Sequence, residues 1–127
     1  LQLAHLGYDR PGLTVFLSHL SLGAKSRLAQ LSFIAEVLQD HPNAVLMGDF
    51  NCLPDQPEME VLYRNTTLRP PECVVPTFPS WKPQRAIDHI LVSGDLKCLG
   101  SQAFPAAFSD HLALAMEIEV PEDALRT

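Results

Sequence analysis

Several short stretches of this chain set oxygen and imidazole groups where apolar segments end. Gly48-Asp49-Phe50-Asn51 follows the apolar run Ala44-Val45-Leu46-Met47, so a carboxylate and an amide stand two residues apart. If the backbone stays extended there, both side chains point the same way. They could then hold and deprotonate a water, or bind a hard divalent cation through oxygen. The same tetrapeptide also reads as an Asx-rich turn closing a strand. Ser109-Asp110-His111 contains the three residue types of a hydrolase triad. Sequence neighbours cannot form that relay, which is assembled from distant segments, and no Gly-x-Ser-x-Gly elbow is present. An Asp-His pair before a strand suits a metal or phosphate site, or a turn carrying a solvated histidine. Asp88 lies among Ile87, Ile90 and Leu91. A buried carboxylate without a partner is costly, so it needs either a cation such as Arg85 or a histidine whose proton it would hold. His19 closes an apolar stretch and reads as a core histidine or as part of a site. His5, His41 and His89 read as structural or surface residues.

The elements that must position these groups alternate in period. Leu1 to His5 and Leu13 to Leu20 read as strands joined through Tyr8-Asp9-Arg10-Pro11-Gly12, a strong turn signal, with Leu13, Val15, Leu17 and His19 on one face. Ala24 to Leu38 changes to a helical repeat with Leu28, Leu31, Ala35 and Leu38 on one side, ended by the Pro42 region. Ala44 to Met47 suits a strand buried on both faces. A short helix is predicted around Met59 to Tyr63, and an ordered proline-rich loop from Arg69 to Pro83. Further strands are expected over Ala86–Val92, Leu96–Ala103 and Leu112–Val120. In the last, Leu112, Leu114, Met116, Ile118 and Val120 turn inward and Glu117 and Glu119 outward. The class is α/β or α+β.

Composition excludes several alternatives. A chain of 127 residues that is 46% hydrophobic can pack a core of its own, and no run reaches the apolar length of a membrane span. No basic segment followed by an apolar one opens the chain, so no export signal is visible. Three cysteines without a CxxC argue against a disulfide scaffold or a cysteine-ligated zinc, and suit the cytoplasm. With 9 Lys+Arg against 15 Asp+Glu the net charge is -6, which disfavours gripping nucleic acid by bulk charge.

The order of the motifs is more specific than any one of them. Leu17-Ser18-His19-Leu20, Leu46-Met47-Gly48-Asp49-Phe50-Asn51, Thr77-Phe78-Pro79-Ser80-Trp81, Ile87-Asp88-His89-Ile90-Leu91 and Ser109-Asp110-His111 follow one another. The series resembles the endonuclease/exonuclease/phosphatase superfamily, which includes DNase I-like nucleases, abasic-site endonucleases, sphingomyelinases and inositol polyphosphate phosphatases. The resemblance implies a metal-dependent hydrolase of phosphate esters. Asp49 would orient or deprotonate the attacking water, with Asn51 beside it. Asp110 would lie near Mg2+ or Mn2+ together with Asp49 and Asn51, His111 would contact the scissile phosphate, and Asp88 would pair with His111. His19 matches a second histidine. Trp81 could stack on a base or sugar or equally be a core residue, and Lys82 and Arg85 could contact phosphate or serve only at the surface. Whether the substrate is nucleic acid, a lipid head group or an inositol phosphate stays open.

The resemblance covers the carboxyl-terminal half of the family fold, a four-layer α/β/β/α sandwich, and residues 1–127 read as that part. The family's first-strand asparagine and its magnesium-binding glutamate are not in the chain. The metal site is therefore expected to be incomplete here. The inner apolar row from Leu112 to Val120 is expected to lie bare, facing water, the missing half or a second copy of the chain. The competing reading is a non-catalytic fragment that binds phosphate or a protein.

Overall fold

The computed structural model describes residues 2–6, 12–105 and 107–121. Strand β1 (Gln2–Leu6) pairs antiparallel with β2 (Leu13–His19); the centre of the predicted turn, residues 7–11, lies outside the described residues. Helix α1 (Ala24–Leu38) then carries the chain over the sheet to β3 (Ala44–Asp49), which runs parallel to β2. A parallel neighbour needs such a crossover, because a tight turn would reverse the chain. A 3-10 turn (Pro57–Met59) leads into helix α2 (Glu60–Asn65). The proline-rich stretch is a loop, as expected, touching strand geometry only at the isolated pairs Leu68–Ser93 and Phe78–Arg85. Strand β4 (Asp88–Val92) returns antiparallel to β3 and completes a mixed sheet of order β1-β2-β3-β4. Strands β5 (Lys97–Phe104) and β6 (Ala113–Glu119) form a separate antiparallel pair.

Two apolar cores flank the four-stranded sheet. On one side Phe16, Leu46 and Leu91 meet Leu31, Ile34, Ala35 and Leu38 of α1 and Met59 and Leu62 from the α2 region. On the other, Leu13, Val45, Ile90, Val92 and Leu96 support Leu114, Met116, Ile118 and Val120. The layers are thus helices, mixed sheet and a second small sheet, an α/β arrangement. No helix among the described residues is long and apolar enough to cross a membrane.

Three expectations need correction. The inner row of β6 is half-buried against the second core, because the β5–β6 sheet folds back over the four-stranded sheet within the chain itself; it is not bare. The buried stripe of α1 is Arg27, Leu31, Ile34, Ala35 and Leu38, while Leu28 is 44% exposed. Arg27 joins that stripe because its guanidinium pairs with buried Glu58. Finally, the loop aromatic Trp81 is 77% exposed and no core residue.

Candidate active site

Sheet register gathers the chemistry. The parallel pairing of β2 with β3 sets His19 opposite Asp49, and the antiparallel pairing of β3 with β4 sets Asp49 opposite Asp88. Residues paired across neighbouring strands share a sheet face, so three strand ends present His19, Asp49 and Asp88 in one row. Gly48 makes this row possible. Its φ is 141°, and a Cβ there would stand 1.8 Å from the carbonyl oxygen of Ser18 on the paired strand. Only glycine allows so close an approach with that backbone.

The fourth group arrives from the second sheet. The Ser109–His111 loop, which precedes β6, is stitched to the loop before β4. Ser80 N–H donates to the Asp110 carbonyl at 2.7 Å, Ser80 Oγ to the Ser109 carbonyl at 2.8 Å, and Leu112 N–H to the Thr77 carbonyl at 2.8 Å. Ser109 Oγ in turn accepts the His111 N–H at 3.1 Å. This brings His111 Nδ1 within 2.7 Å of Asp88 Oδ2 and packs its ring on Phe78 at a centroid distance of 4.9 Å. A carboxylate accepts only, so Nδ1 carries a proton and Nε2 is the working nitrogen. That Nε2 lies 3.6 Å from Asp49 Oδ2 and 4.0 Å from Asp110 Oδ1. His19 Nε2 stands 3.6 Å from the same Asp49 oxygen. Burial disfavours the charged form of His111, but the hydrogen bond and charge of Asp88, helped by Asp49 and Asp110, outweigh it and raise the pKa above 6.5.

Of the residues singled out from sequence, His19, Asp49, Asp88, Asp110 and His111 therefore meet. Asp88 takes the histidine as partner, not Arg85. Its Oδ2 also accepts a hydrogen bond from Thr77 Oγ1 at 2.6 Å. Asn51 is beside the row, but the extended geometry does not persist: its φ is 52°, its N–H donates to Asp49 Oδ1 at 2.9 Å, and its Nδ2 donates to the Leu20 carbonyl. The Asx-turn geometry thus holds, and it aligns Asp49 as it closes. Trp81, Lys82 and Arg85 are exposed on the loop before β4, with no hydrogen bond or ion pair to the cluster among the described residues. His19 is exposed rather than a core histidine. His89 and His41 are structural: buried His89 donates Nε2–H to the Cys52 carbonyl at 2.8 Å and is kept neutral by burial, and His41 bonds Thr14.

Thr77 has a part that sequence reasoning did not assign. It is fully buried, and nothing in its spacing from Asp88 signals the contact, which exists only through the loop's path. As for metal, one donor atom each from Asp49, Asp88 and His111 lie within 4.8 Å of one another, so the group could hold an ion. Asp88 Oδ2, however, is already engaged by Thr77 and His111, which suits it to orienting rather than ligation.

Residues 7–111 match the model of the Endonuclease/Exonuclease/phosphatase family. A conserved protein of unknown function from Enterococcus faecalis V583 is similar in structure, with a TM-score of 0.70 and 23% identity over 86% of this chain and 50% of that one. The mannosyl-6-phosphatase Bt3783 of Bacteroides thetaiotaomicron VPI-5482 gives a TM-score of 0.66 and 18% identity, covering 84% of this chain and 51% of that one. A 3'-5' exonuclease from Neisseria meningitidis gives 0.62 and 21%, covering 85% and 62%. The chain thus spans about half the length of the first two solved structures it resembles. No curated protein sequence matches it.

Proposed function

The chain belongs to the endonuclease/exonuclease/phosphatase family, and from that premise we propose that it supplies the general acid and base of a metal-dependent phosphate-ester hydrolase. The observation that carries this reading is the line Thr77–Asp88–His111, whose free imidazole nitrogen ends 3.6 Å from the Asp49 carboxylate. A phosphate ester is anionic, so hydrolysis needs an activated, aligned water and positive charge against the phosphoryl oxygens. Asp49 Oδ2 takes the proton of the attacking water, with the Asn51 side-chain carbonyl holding that water in line. As the water oxygen bonds to phosphorus the P–O bond to the ester alcohol breaks, and the departing oxygen takes up a proton from solvent; His111, protonated at Nε2, donates to a phosphoryl oxygen while Asp88 fixes its ring and stabilises its charge. His19 contacts the ester from the other side of Asp49. Trp81 and Arg85 meet the rest of the substrate by stacking and charge.

The donors Asp49, Asn51 and Asp110 are hard oxygens, which fit Mg2+ or Mn2+, and both carboxylates lie within 4.0 Å of His111 Nε2. Such an ion, when bound, supplies charge neutralisation at the phosphate. The three free thiols suit a reducing, cytoplasmic setting. The test is hydrolysis of bis-p-nitrophenyl phosphate and p-nitrophenyl phosphate with Mg2+ by the full natural chain. His111→Ala should lose about 10²–10⁴-fold, the usual worth of a positioned proton donor. Equal rates in the variant would favour a phosphate- or protein-binding role instead.

A further inference from the structure

We propose that the buried ion pair Arg27–Glu58 is a positioning device for this site, locking together the two loops that leave the catalytic ends of β2 and β3; this rests on the hydrolase reading above. The residues after His19 are held one by one. Leu20 N–H donates to the Asp49 carbonyl at 2.8 Å, and the Leu20 carbonyl accepts from Asn51 Nδ2. Ser21 N–H donates to Gln30 Oε1 at 2.9 Å. Arg27 Nη1 donates to the carbonyls of Ser21, at 3.3 Å, and Leu22. The other side of the same guanidinium grips Glu58 Oε1 through Nε at 3.0 Å and Nη2 at 2.8 Å. Glu58 sits in the 3-10 turn that ends the loop descending from Asn51. One planar fork therefore fixes the exit of β2 and the exit of β3 relative to each other.

The link to the site runs through Asn51. Its left-handed backbone is sustained by bonds to Asp49 and Leu20, so the place of Leu20 decides where the Asn51 amide points. Leu20 in turn follows the carbonyls that Arg27 holds. Packing alone does not call for charges here. Arg27 and Glu58 are 8% and 9% exposed, and the core beside them is built from Leu20, Leu31, Phe50 and Met59. A buried ion pair is often matched or surpassed in stability by apolar residues of similar volume. Apolar residues, however, cannot supply directional bonds to two loop carbonyls and a carboxylate at once, which is what a guanidinium fork does. Burial pushes the Glu58 carboxyl up, but its bonds from Arg27 prevail and keep it ionised.

The experiment compares Arg27→Met/Glu58→Leu, which keeps volume and removes the fork, with Arg27→Lys, which keeps the charge but cannot bridge all three acceptors. Thermal unfolding, NMR exchange of the Leu20 N–H and Asn51 side-chain amide protons, and kcat and KM on the p-nitrophenyl ester are measured in the full natural chain. The double variant should fold, exchange those protons about tenfold faster or more, and lose about 10- to 100-fold in kcat with KM changed far less, as misplaced catalytic groups do. A folded double variant with wild-type exchange and kcat overturns the proposal. If it does not fold, Arg27→Lys decides: unchanged exchange and kcat there overturn it equally. A wild-type protein that hydrolyses neither ester defeats the hydrolase reading, while the exchange measurement still judges the lock.

Discussion

Replacing Asp88 by asparagine tests the site at its centre. The side chains of Asp88 and His111 are 17% and 25% exposed and their atoms meet at 2.7 Å, so solvent screens the contact little. A hydrogen bond to a charged acceptor contributes about 1.5–3 kcal/mol and a neutral one about 0.5–1.5 kcal/mol. Asp88→Asn thus removes roughly 1–2 kcal/mol of preference for the imidazolium, about a tenfold loss of proton affinity at His111. His111 titrates above 6.5 in the folded protein, where the Asp88 bond and charge prevail over burial. Activity that needs the imidazolium holds below that raised pKa and fails as pH rises through it. The variant should therefore fail at lower pH than wild type. The assay is the pH dependence of kcat/KM on the p-nitrophenyl esters, with an NMR titration of the His111 ring in parallel. An alkaline limb that stays in place while the ring titrates at lower pH would show that His111 is not the proton donor. A ring pKa that does not move would refute the pairing itself.

Other expectations follow from single contacts. Thr77→Val deletes one of two hydrogen bonds on Asp88 Oδ2, leaving a more basic carboxylate; the alkaline limb should move up, opposite to Asp88→Asn, by a few-fold in proton affinity for a bond of about 1 kcal/mol. Gly48→Ala would force a Cβ to 1.8 Å from the Ser18 carbonyl at φ 141°, so urea unfolding should show a loss of about 3 kcal/mol or more, or no folded protein at all. The raised pKa of His111 also predicts a stability signature. Relative to His111→Gln, the wild-type advantage should be full below pH 6.5 and disappear as pH rises through the folded pKa, read from denaturant midpoints across that range. An advantage that grew with pH would contradict the assigned direction.

Much of the fold was legible because periodicity reports burial directly. The helix from Ala24 to Leu38 has the bounds its repeat implied, and the alternation from Leu112 to Val120 named the inward face of β6 correctly. What periodicity cannot report is a partner. The apolar repeat of α1 gave no sign that Arg27 joins the buried stripe, where it pairs with Glu58. The β6 row read as bare until it met Leu13, Val45, Ile90, Val92 and Leu96. Both depend on contacts between segments far apart in the chain.

The candidate site divides along the same line. Residue types and their order along the chain already set out the chemistry: carboxylates at Asp49, Asp88 and Asp110 and imidazoles at His19 and His111, each beside a strand terminus. Tertiary structure decided how they act together. Register between β2, β3 and β4 lines up His19, Asp49 and Asp88. The stitching of two loops through Ser80 and Thr77 delivers His111, with Thr77 as an unforeseen second donor to Asp88. A single strand end can be read from its own residues, because local backbone geometry and burial pattern follow from local sequence. Which atoms face one another across 2.7 Å is set by the packing of separate sheets and loops, a sum of many distant contacts that no one segment encodes.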